Sequence, residues 1–345
     1  MAQINKPTDY FNTKLYTGNG STQSITGVGF QPDFTWIKDR TNAYGHDLYD
    51  VIRGATNRIQ SNDAGAESSA SGLTSFDSDG FSLGSYVGDN TNTANYVSWN
   101  WLAGGTASSN TQGDITSSVS ANTTAGFSIV SYTGNGTNPS TIGHGLGKKP
   151  DLMIVKSRQD ADAWLVGSDK ISGWNWSSDY LHLNATSGKM TDAGGTAFNT
   201  APTSSVFSVG AYLNGSGENY IAYMFTSIKG FSKIGTYTGN GSADGTFVYT
   251  GMRPSFLMLK RTDTTGSWHM YDNKRDTYNP ETKRLGANLS SEESSAGSID
   301  IDFLSQGFKM RNSTADWNAS GGSYIYMAFA AEPLVGQNNI PAVAR

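Results

Sequence analysis

The stretch Tyr132-Thr133-Gly134-Asn135-Gly136 occurs three times in this chain of 345 residues. The other two copies are Tyr16-Thr17-Gly18-Asn19-Gly20 and Tyr237-Thr238-Gly239-Asn240-Gly241. The first tyrosines of successive copies are 116 and then 105 residues apart. Solenoid repeats are much shorter, roughly 20–50 residues, so this spacing predicts three tandem domains.

The five residues themselves favour a strand that ends in a tight turn. An aromatic and a β-branched residue suit a strand, and Asn-Gly tolerates the positive φ angles of a two-residue hairpin. We therefore expect each copy to open with a strand followed by a sharp hairpin reversal.

A proline and a short apolar run follow each copy of the motif. Each run ends in a lysine, six residues after the proline, and this distance is the same in all three repeats. Short apolar runs bounded by proline and charge predict buried strands that begin at the proline. The prolines are Pro32, Pro150 and Pro254, and the runs are Phe34–Lys38, Leu152–Lys156 and Phe256–Lys260.

Each repeat closes with an aromatic strand. Because side chains alternate between the two faces of a strand, every second residue shares one face. We assign one such face in each repeat to the core. These residues are Val97, Trp99 and Trp101, then Ile221, Tyr223 and Phe225, and finally Ile325, Met327 and Phe329.

Composition places the chain in the all-β class. Only 15% of residues are charged, 12% are aromatic and 41 are glycine, which is typical of short strands and many turns. No segment carries a convincing helical pattern. We predict three tandem β-sandwich domains of jelly-roll or lectin-like type, each of about 100 residues with its own core. The predicted boundaries are an N-terminal arm with repeat 1 (1–102), a linker (103–125), repeat 2 (126–228), repeat 3 (229–332) and a C-terminal arm (333–345).

The charge balance and residue usage exclude several classes of partner and cofactor. A formal net charge of −5 opposes a phosphate-neutralising surface, so we expect no nucleic-acid partner. The chain has no cysteine, which excludes disulfides and cysteine-bound zinc. No apolar stretch approaches the ~20 residues of a membrane span, and no signal-peptide segment begins the chain. We expect synthesis in a cytoplasm and no cofactor.

Further motifs make the sequence specific enough for a family resemblance. Phe11-Asn12-Thr13 leads into the first motif, Gly29-Phe30-Gln31-Pro32-Asp33 follows it, and Gly143-His144-Gly145-Leu146-Gly147 precedes Pro150. From about residue 4 to 332 the chain resembles a family of virion-associated proteins of marine tailed bacteriophages, cyanophages among them. The resemblance implies a component of a phage particle, and it carries over no catalytic motif.

The most regularly repeated polar feature is a basic pair after each apolar run. The structural interpretation is an ion pair with a nearby carboxylate such as Asp50 or Asp272, and it is the favoured one. The alternative is a contact with a neighbouring subunit or an anionic glycan. Repeat 2 has Ser168 where the others have aspartate, which weakens the idea of one shared site. The pairs are Lys38 and Arg40, Lys156 and Arg158, and Lys260 and Arg261.

An aromatic cluster in repeat 2 is the candidate glycan or protein contact. Trp174, Trp176 and Tyr180 could offer flat apolar faces with polar edges to a sugar ring. Large aromatic side chains are mostly buried, so we favour a place in a core or interface over a sugar platform.

The remaining patterns favour turns and solvated side chains over a catalytic or metal site. Asp77-Ser78-Asp79-Gly80 resembles the start of a calcium loop, but Gly88 stands where the ligating glutamate belongs. We therefore expect a β-turn there and no metal. The four histidines occupy no common position in the repeats, so no catalytic triad is indicated.

Two functions follow from these observations. The first is a non-enzymatic structural protein of the virion, a tail fibre, tail adaptor or capsid decoration that contacts other virion subunits. It would assemble as a homo-oligomer, with a trimer as one arrangement. The second is a lectin-like protein that binds a glycan of the host surface. An enzyme that degrades polysaccharide is a more distant alternative.

Overall fold

The structure is a computed structural model that describes residues 4–192, 194–295 and 297–330. These residues form an all-β protein in which all named sheets are antiparallel. The expectation that no helix is present is wrong in detail, because short helical turns connect some strands. They are the α-helices α1 (Val87–Asn90) and α2 (Ala315–Asn318) and the 3-10 helices Pro7–Asp9 and Ala211–Leu213.

The strands recur in a similar order in the three repeats. Repeat 1 contains β1 (Phe11–Thr17), β2 (Gln23–Thr26), β3 (Phe34–Asp39), β4 (His46–Asp50), β5 (Asn57–Gln60), β6 (Ser68–Ser69), β7 (Leu73–Asp77), β8 (Gly80–Leu83) and β9 (Asn95–Trp101). Repeat 2 contains β10 (Ser108–Asn110), β11 (Ser117–Asn122), β12 (Phe127–Thr133), β13 (Ser140–Gly143), β14 (Leu152–Ser157), β15 (Leu165–Gly167), β16 (Asp179–His182), β17 (Met190–Thr191), β18 (Val206–Val209) and β19 (Asn219–Phe225). Repeat 3 contains β20 (Ser232–Thr238), β21 (Phe247–Tyr249), β22 (Phe256–Arg261), β23 (Trp268–Asp272), β24 (Lys283–Gly286), β25 (Ser294–Ser295), β26 (Ile301–Leu304), β27 (Gly307–Met310) and β28 (Ser323–Phe329).

Each repeat builds one large sheet and one small sheet. The large sheets have the strand orders β1-β9-β3-β4-β5-β6, β10-β11-β12-β19-β14-β15-β16-β17 and β20-β28-β22-β23-β24-β25. The small sheets are β2-β8-β7, β13-β18 and β21-β27-β26. In every large sheet the closing aromatic strand lies between the motif strand and the apolar strand, so it is buried on both faces.

The first tyrosines of the three motifs occupy the same position in the three large sheets. Each stacks almost in parallel on the first tyrosine of the closing strand, and the two tyrosines also face each other in the register of the neighbouring strands. The ring centroids are 4.9 Å apart in Tyr16–Tyr96, 5.1 Å in Tyr132–Tyr220 and 4.7 Å in Tyr237–Tyr324.

The largest hydrophobic core is shared by all three repeats. The residues that we assigned to a core face all lie in this one cluster, Trp99, Tyr223 and Met327 among them. The expectation of separate domain cores is therefore wrong for these faces, since the three large sheets pack against one another. A smaller core lies between the large and small sheets of each repeat.

The small polar residues of the segment 103–125 had suggested a linker, but the segment is part of the second large sheet. Strands β10 and β11 lie in it and extend the second large sheet beyond β12. Val119 pairs with Val130, and Ile115 forms a bridge to Ile142. Because these two apolar side chains are buried in the core of repeat 2, the segment folds onto that repeat.

The motif does not form a hairpin, so that prediction is also wrong. Strand β1 pairs with β9, whereas the next strand, β2, pairs with β8 in the small sheet. Gly-Asn-Gly therefore forms a corner that carries the chain from one sheet to the other. The same change of sheet occurs after β12 and after β20.

The two glycines of the motif serve different purposes, as the third copy illustrates. A Cβ atom on Gly239 would lie 2.3 Å from the carbonyl oxygen of Ala319, which leaves no room for a side chain. Gly241 has a φ of +69°, which favours glycine because side chains with a Cβ atom are strained there. Between them, the side-chain oxygen of Asn240 accepts a hydrogen bond from the backbone N–H of Ser242.

Candidate functional site: the junctions between the repeats

The three repeats contact one another in a closed cycle. In each repeat, the residue just before the short edge strand of the large sheet donates its backbone N–H to the next repeat in the cycle. The third repeat donates to the first, which closes the ring. The donor–acceptor pairs are Glu67 to Arg158, Lys189 to Thr262 and Glu293 to Arg40.

An ion network fills the junction between repeats 1 and 2. The Glu67 carboxylate lies 2.8 Å from the guanidinium of Arg158 and 3.3 Å from that of Arg53. Arg53 is fully buried and also contacts Asp50 at 2.5 Å. The hydroxyl of Tyr223, from repeat 2, donates to Asp50 at 2.8 Å. Burial opposes the charge on Arg53, but the carboxylate of Asp50 holds its pKa well above its usual range.

The junction between repeats 3 and 1 is built in the same way. Glu293 lies 2.9 Å from Arg40 and 3.1 Å from Arg275, and Arg275 contacts Asp272 at 2.6 Å. The indole N–H of Trp99, from repeat 1, donates to Asp272. Burial raises the pKa of Glu293, but the two arginines outweigh this effect and keep its pKa below the usual range.

The junction between repeats 2 and 3 lacks this network. Ile171 and Thr262 stand where the other junctions have arginines, and Lys189 replaces the glutamate. The ammonium of Lys189 turns back within repeat 2 and contacts Asp179 at 2.6 Å. Arg261 points to Asp263 in its own repeat, 2.8 Å away.

A cleft of about 300 Å³ opens at this junction. Both repeats contribute to its walls, which carry several hydroxyl groups, one lysine, one aspartate and one isoleucine. The lining residues are Ile171, Ser172, Lys189, Thr236, Tyr237, Thr238, Thr262, Asp263, Ser323 and Tyr324.

The three lysines of the predicted basic pairs are buried and hydrogen-bonded to backbone carbonyls. Lys38 donates to Tyr44 and to Ser290 of repeat 3, and Lys260 donates to Thr186 of repeat 2. Lys156 donates within its own repeat. Burial lowers the pKa of each of these lysines to about 8.

The arginines of the pairs do not share one position. Arg40 and Arg158 are equivalent, because each donates its backbone N–H to the first residue of the closing strand. Thr262 makes that contact in repeat 3, so Arg261 lies one residue earlier. We had expected Asp50 and Asp272 to form ion pairs with the basic pairs, and this expectation is wrong. The two aspartates bind Arg53 and Arg275, three residues further along the chain.

The aromatic cluster of repeat 2 lies mainly against the cores. Trp176 is only 8% exposed and packs on Phe198, with ring centroids 5.6 Å apart. Trp174 is half-buried and contacts Trp176 edge to face. Tyr180 is also half-buried and lies beside His182. The three side chains thus do not form one exposed flat platform.

The calcium-like stretch forms the turn of the hairpin between β7 and β8. The carboxylate of Asp79 accepts the backbone N–H groups of Gly27 and Gly29, and Asp77 accepts the hydroxyls of Ser75 and Ser82. The described part of the chain contains no group of three or more His, Asp or Glu side chains arranged to hold a metal ion.

The four histidines lie at separate points of the fold. His46 and His269 are buried, and burial lowers the pKa of both. His269 stacks on Trp317 at 3.9 Å. His144 is buried in repeat 2, and His182 is half-buried at the end of β16.

Sequence reasoning missed three equivalent asparagines that hold the corners of the motif. Each is buried and accepts the backbone N–H of the motif asparagine at 2.9 Å. A signal was present, since each precedes the first tyrosine of its closing strand by six residues. They are Asn90, Asn214 and Asn318.

Among residues 4–192, 194–295 and 297–330, no helix is long and apolar enough to cross a membrane. A protein-family model described as "Domain of unknown function (DUF7483)" matches residues 6–333. No curated protein and no solved structure matches the chain.

Proposed function

The chain belongs to the family of the domain of unknown function DUF7483, and we propose that it is a non-enzymatic structural protein of a tailed-phage virion. Within the particle it acts as a tail fibre, tail adaptor or capsid decoration, through contacts with other virion subunits. The resemblance of its sequence to virion-associated phage proteins supports the proposal.

The observation that carries the proposal is the closed cycle of junctions around a shared core. The backbone N–H groups of Glu67 and Glu293 form hydrogen bonds between repeat 1 and each of its neighbours, and that of Lys189 forms one between repeats 2 and 3. Three similar units joined in this way offer fixed surfaces in an approximately threefold arrangement. Fixed surfaces favour binding between proteins, because little conformational freedom is lost on contact.

The small sheet of repeat 3 offers a surface suited to such a contact. Phe247 and Tyr249 on strand β21 are 47% and 67% exposed. The equivalent positions in the other repeats hold smaller residues, namely Ser24, Thr26, Thr141 and Gly143. Exposed aromatic side chains are enriched among the residues that anchor protein interfaces, so we place a contact with another virion subunit here.

Mass spectrometry of purified particles tests the proposal. Particles of the phage that encodes this chain should contain it in a constant ratio to the major capsid protein after density-gradient purification. Its absence from intact particles would refute the proposal. Native mass spectrometry of the purified chain tests the expected homo-oligomer, for which a trimer is one arrangement.

Replacing Phe247 by Ser and Tyr249 by Thr introduces the residues of repeat 1 into repeat 3. The outer face of β21 should then lose its anchors, and incorporation into particles should fall by at least tenfold relative to capsid protein. The matched control is Ser24→Ala with Thr26→Ala in repeat 1, which should be incorporated normally. Normal incorporation of the aromatic variant would exclude β21 as the contact surface.

The lectin-like function is the second candidate. Its sequence evidence was the cluster of Trp174, Trp176 and Tyr180, and the burial of Trp176 reduces the surface that this cluster offers to a sugar. The cleft between repeats 2 and 3 is a separate feature that supports this candidate.

A further inference from the structure

We propose that the cleft between repeats 2 and 3 binds one ring of an uncharged, hydroxyl-rich ligand such as a neutral monosaccharide unit. This site goes beyond the proposed structural role, and it can exist whether or not the chain is part of a virion.

The comparison of the three junctions shows why the cleft exists. At the other two, one glutamate and two arginines from adjoining repeats fill the corresponding space. At this one, Ile171 and Thr262 are shorter than the arginines that they replace, and Lys189 bends away toward Asp179. The resulting volume of about 300 Å³ lies at the lower end of the range of small-molecule pockets.

The two charged side chains that line the cleft, Lys189 and Asp263, each already have a partner of opposite charge outside it. Lys189 is paired with Asp179 at 2.6 Å, and Asp263 is paired with Arg261 at 2.8 Å. A charged ligand would have to compete with these partners, and it would meet no net charge of opposite sign. The site therefore favours an uncharged ligand.

The walls of the cleft carry the groups that a sugar ring requires. Thr236 and Thr238 are exposed, and they lie on the same face of β20 because they are two residues apart. Ser172 and Ser323 add exposed hydroxyl-bearing side chains from the two repeats. Hydroxyl groups can both donate and accept, which matches the alternating requirements of sugar hydroxyls. Ile171 provides an apolar wall for the C–H face of a ring.

Saturation-transfer NMR on the full chain tests the site with methyl glycosides of glucose, galactose and mannose as probes. We expect at least one of them to bind, with a dissociation constant that titration can measure. Thr238→Ala should weaken this binding by about three- to tenfold through the loss of one hydrogen bond. The matched control is Thr133→Ala, the equivalent position at the filled junction, which should leave binding unchanged.

A second variant closes the cleft with residues that the chain already uses elsewhere. Lys189→Glu with Thr262→Arg introduces the glutamate–arginine pair of the other junctions, and it should abolish binding. Circular dichroism and a thermal melt confirm folding. The proposal is overturned if none of the three glycosides binds, or if Thr238→Ala binds as the unmodified chain does. Neither result bears on the presence of the chain in virions, which mass spectrometry measures separately.

Discussion

At the scale of single residues, Glu281 has a carboxyl group whose surroundings disfavour the charged form. It is 1% exposed, and both of its carboxylate oxygens are buried without a hydrogen-bond partner. Burial, together with the charges of Asp276 and Asp272, raises its pKa to about 8, although Arg253 and Arg275 oppose the shift. Glu281 is therefore protonated in the folded protein at neutral pH.

Replacement of Glu281 by Gln should change how stability depends on pH. The folded state keeps its proton up to about pH 8, whereas the unfolded chain loses it near pH 4.5. The free energy of unfolding of the unmodified protein should therefore fall as the pH rises from about 4.5 to about 8, by at most about 5 kcal/mol. The Gln variant cannot lose this proton, so its own decline should be smaller by that amount.

Urea unfolding at pH 5 and pH 9 measures the difference between the two proteins. The matched control is Glu292→Gln, at an exposed position of the same repeat. An equal change between the two pH values in the unmodified protein and in Glu281→Gln would contradict the assignment.

Two equivalent buried positions carry chemically different side chains in the three repeats. In repeat 1 the positions hold two carboxylates, and burial raises the pKa of both, most strongly that of Asp89. Repeat 2 has two leucines there, and repeat 3 has a histidine stacked on a tryptophan. The pairs are Asp47 and Asp89, Leu165 and Leu213, and His269 and Trp317. One backbone thus accepts three different side-chain chemistries.

At the scale of elements, the motif works together with the buried asparagine that precedes each closing strand. In repeat 3, Asn318 accepts the backbone N–H of Asn240 and donates to the side chain of Asn240, to Ser242 and to Asn312. These bonds attach the corner between β20 and β21 to the helical turn before β28. The corner is thereby held by a side chain far away in the sequence.

Asn318→Ala should remove these bonds and leave three backbone groups without this partner, namely those of the exposed Asn240 and Ser242 and of the buried Asn312. We expect a loss of about 3 kcal/mol in the free energy of unfolding. Chemical denaturation measures the loss, and Ser313→Ala, at an exposed position nearby, is the control and should change stability by less than about 0.5 kcal/mol. A loss no greater than that of the control would show that the corner is held by other contacts.

At the scale of the whole molecule, the shared core and the junction networks make the repeats interdependent. The buried charge of Arg53 relies on Glu67 as well as on Asp50. Glu67→Ala should therefore cost about 3 kcal/mol, because removal of one partner leaves a buried charge less compensated. Lys189→Ala at the open junction should cost less than about 1 kcal/mol, since that lysine is partly exposed.

Chemical unfolding of the unmodified chain, of Glu67→Ala and of Lys189→Ala measures both losses, with tryptophan fluorescence and far-UV circular dichroism as the two signals. The two signals should change together in one transition, because the central core cannot lose one repeat and stay closed. Separate transitions for separate repeats would contradict this interdependence.

Much of the element level could be predicted from local patterns. The apolar runs and the closing aromatic strands are strands where we expected them, and Trp99, Tyr223 and Met327 lie in a core. The candidate site was harder to predict from the sequence. Glu67 and Glu293 belong to no motif of the sequence, and only their position against the next repeat makes them partners of Arg158 and Arg40. The described residues end at position 330, so the predicted C-terminal arm (333–345) lies outside them.

The sequence by itself determined the all-β class, the threefold repetition and the strands that are buried, because strand periodicity and turn residues act over a few neighbours. Only the tertiary structure decided that the three large sheets share one core, that the motif turns a corner between sheets, and that one of three junctions stays open. These features depend on contacts between residues that are often more than 70 positions apart, such as Tyr223 with Asp50. No local pattern specifies which distant surface a strand face will meet.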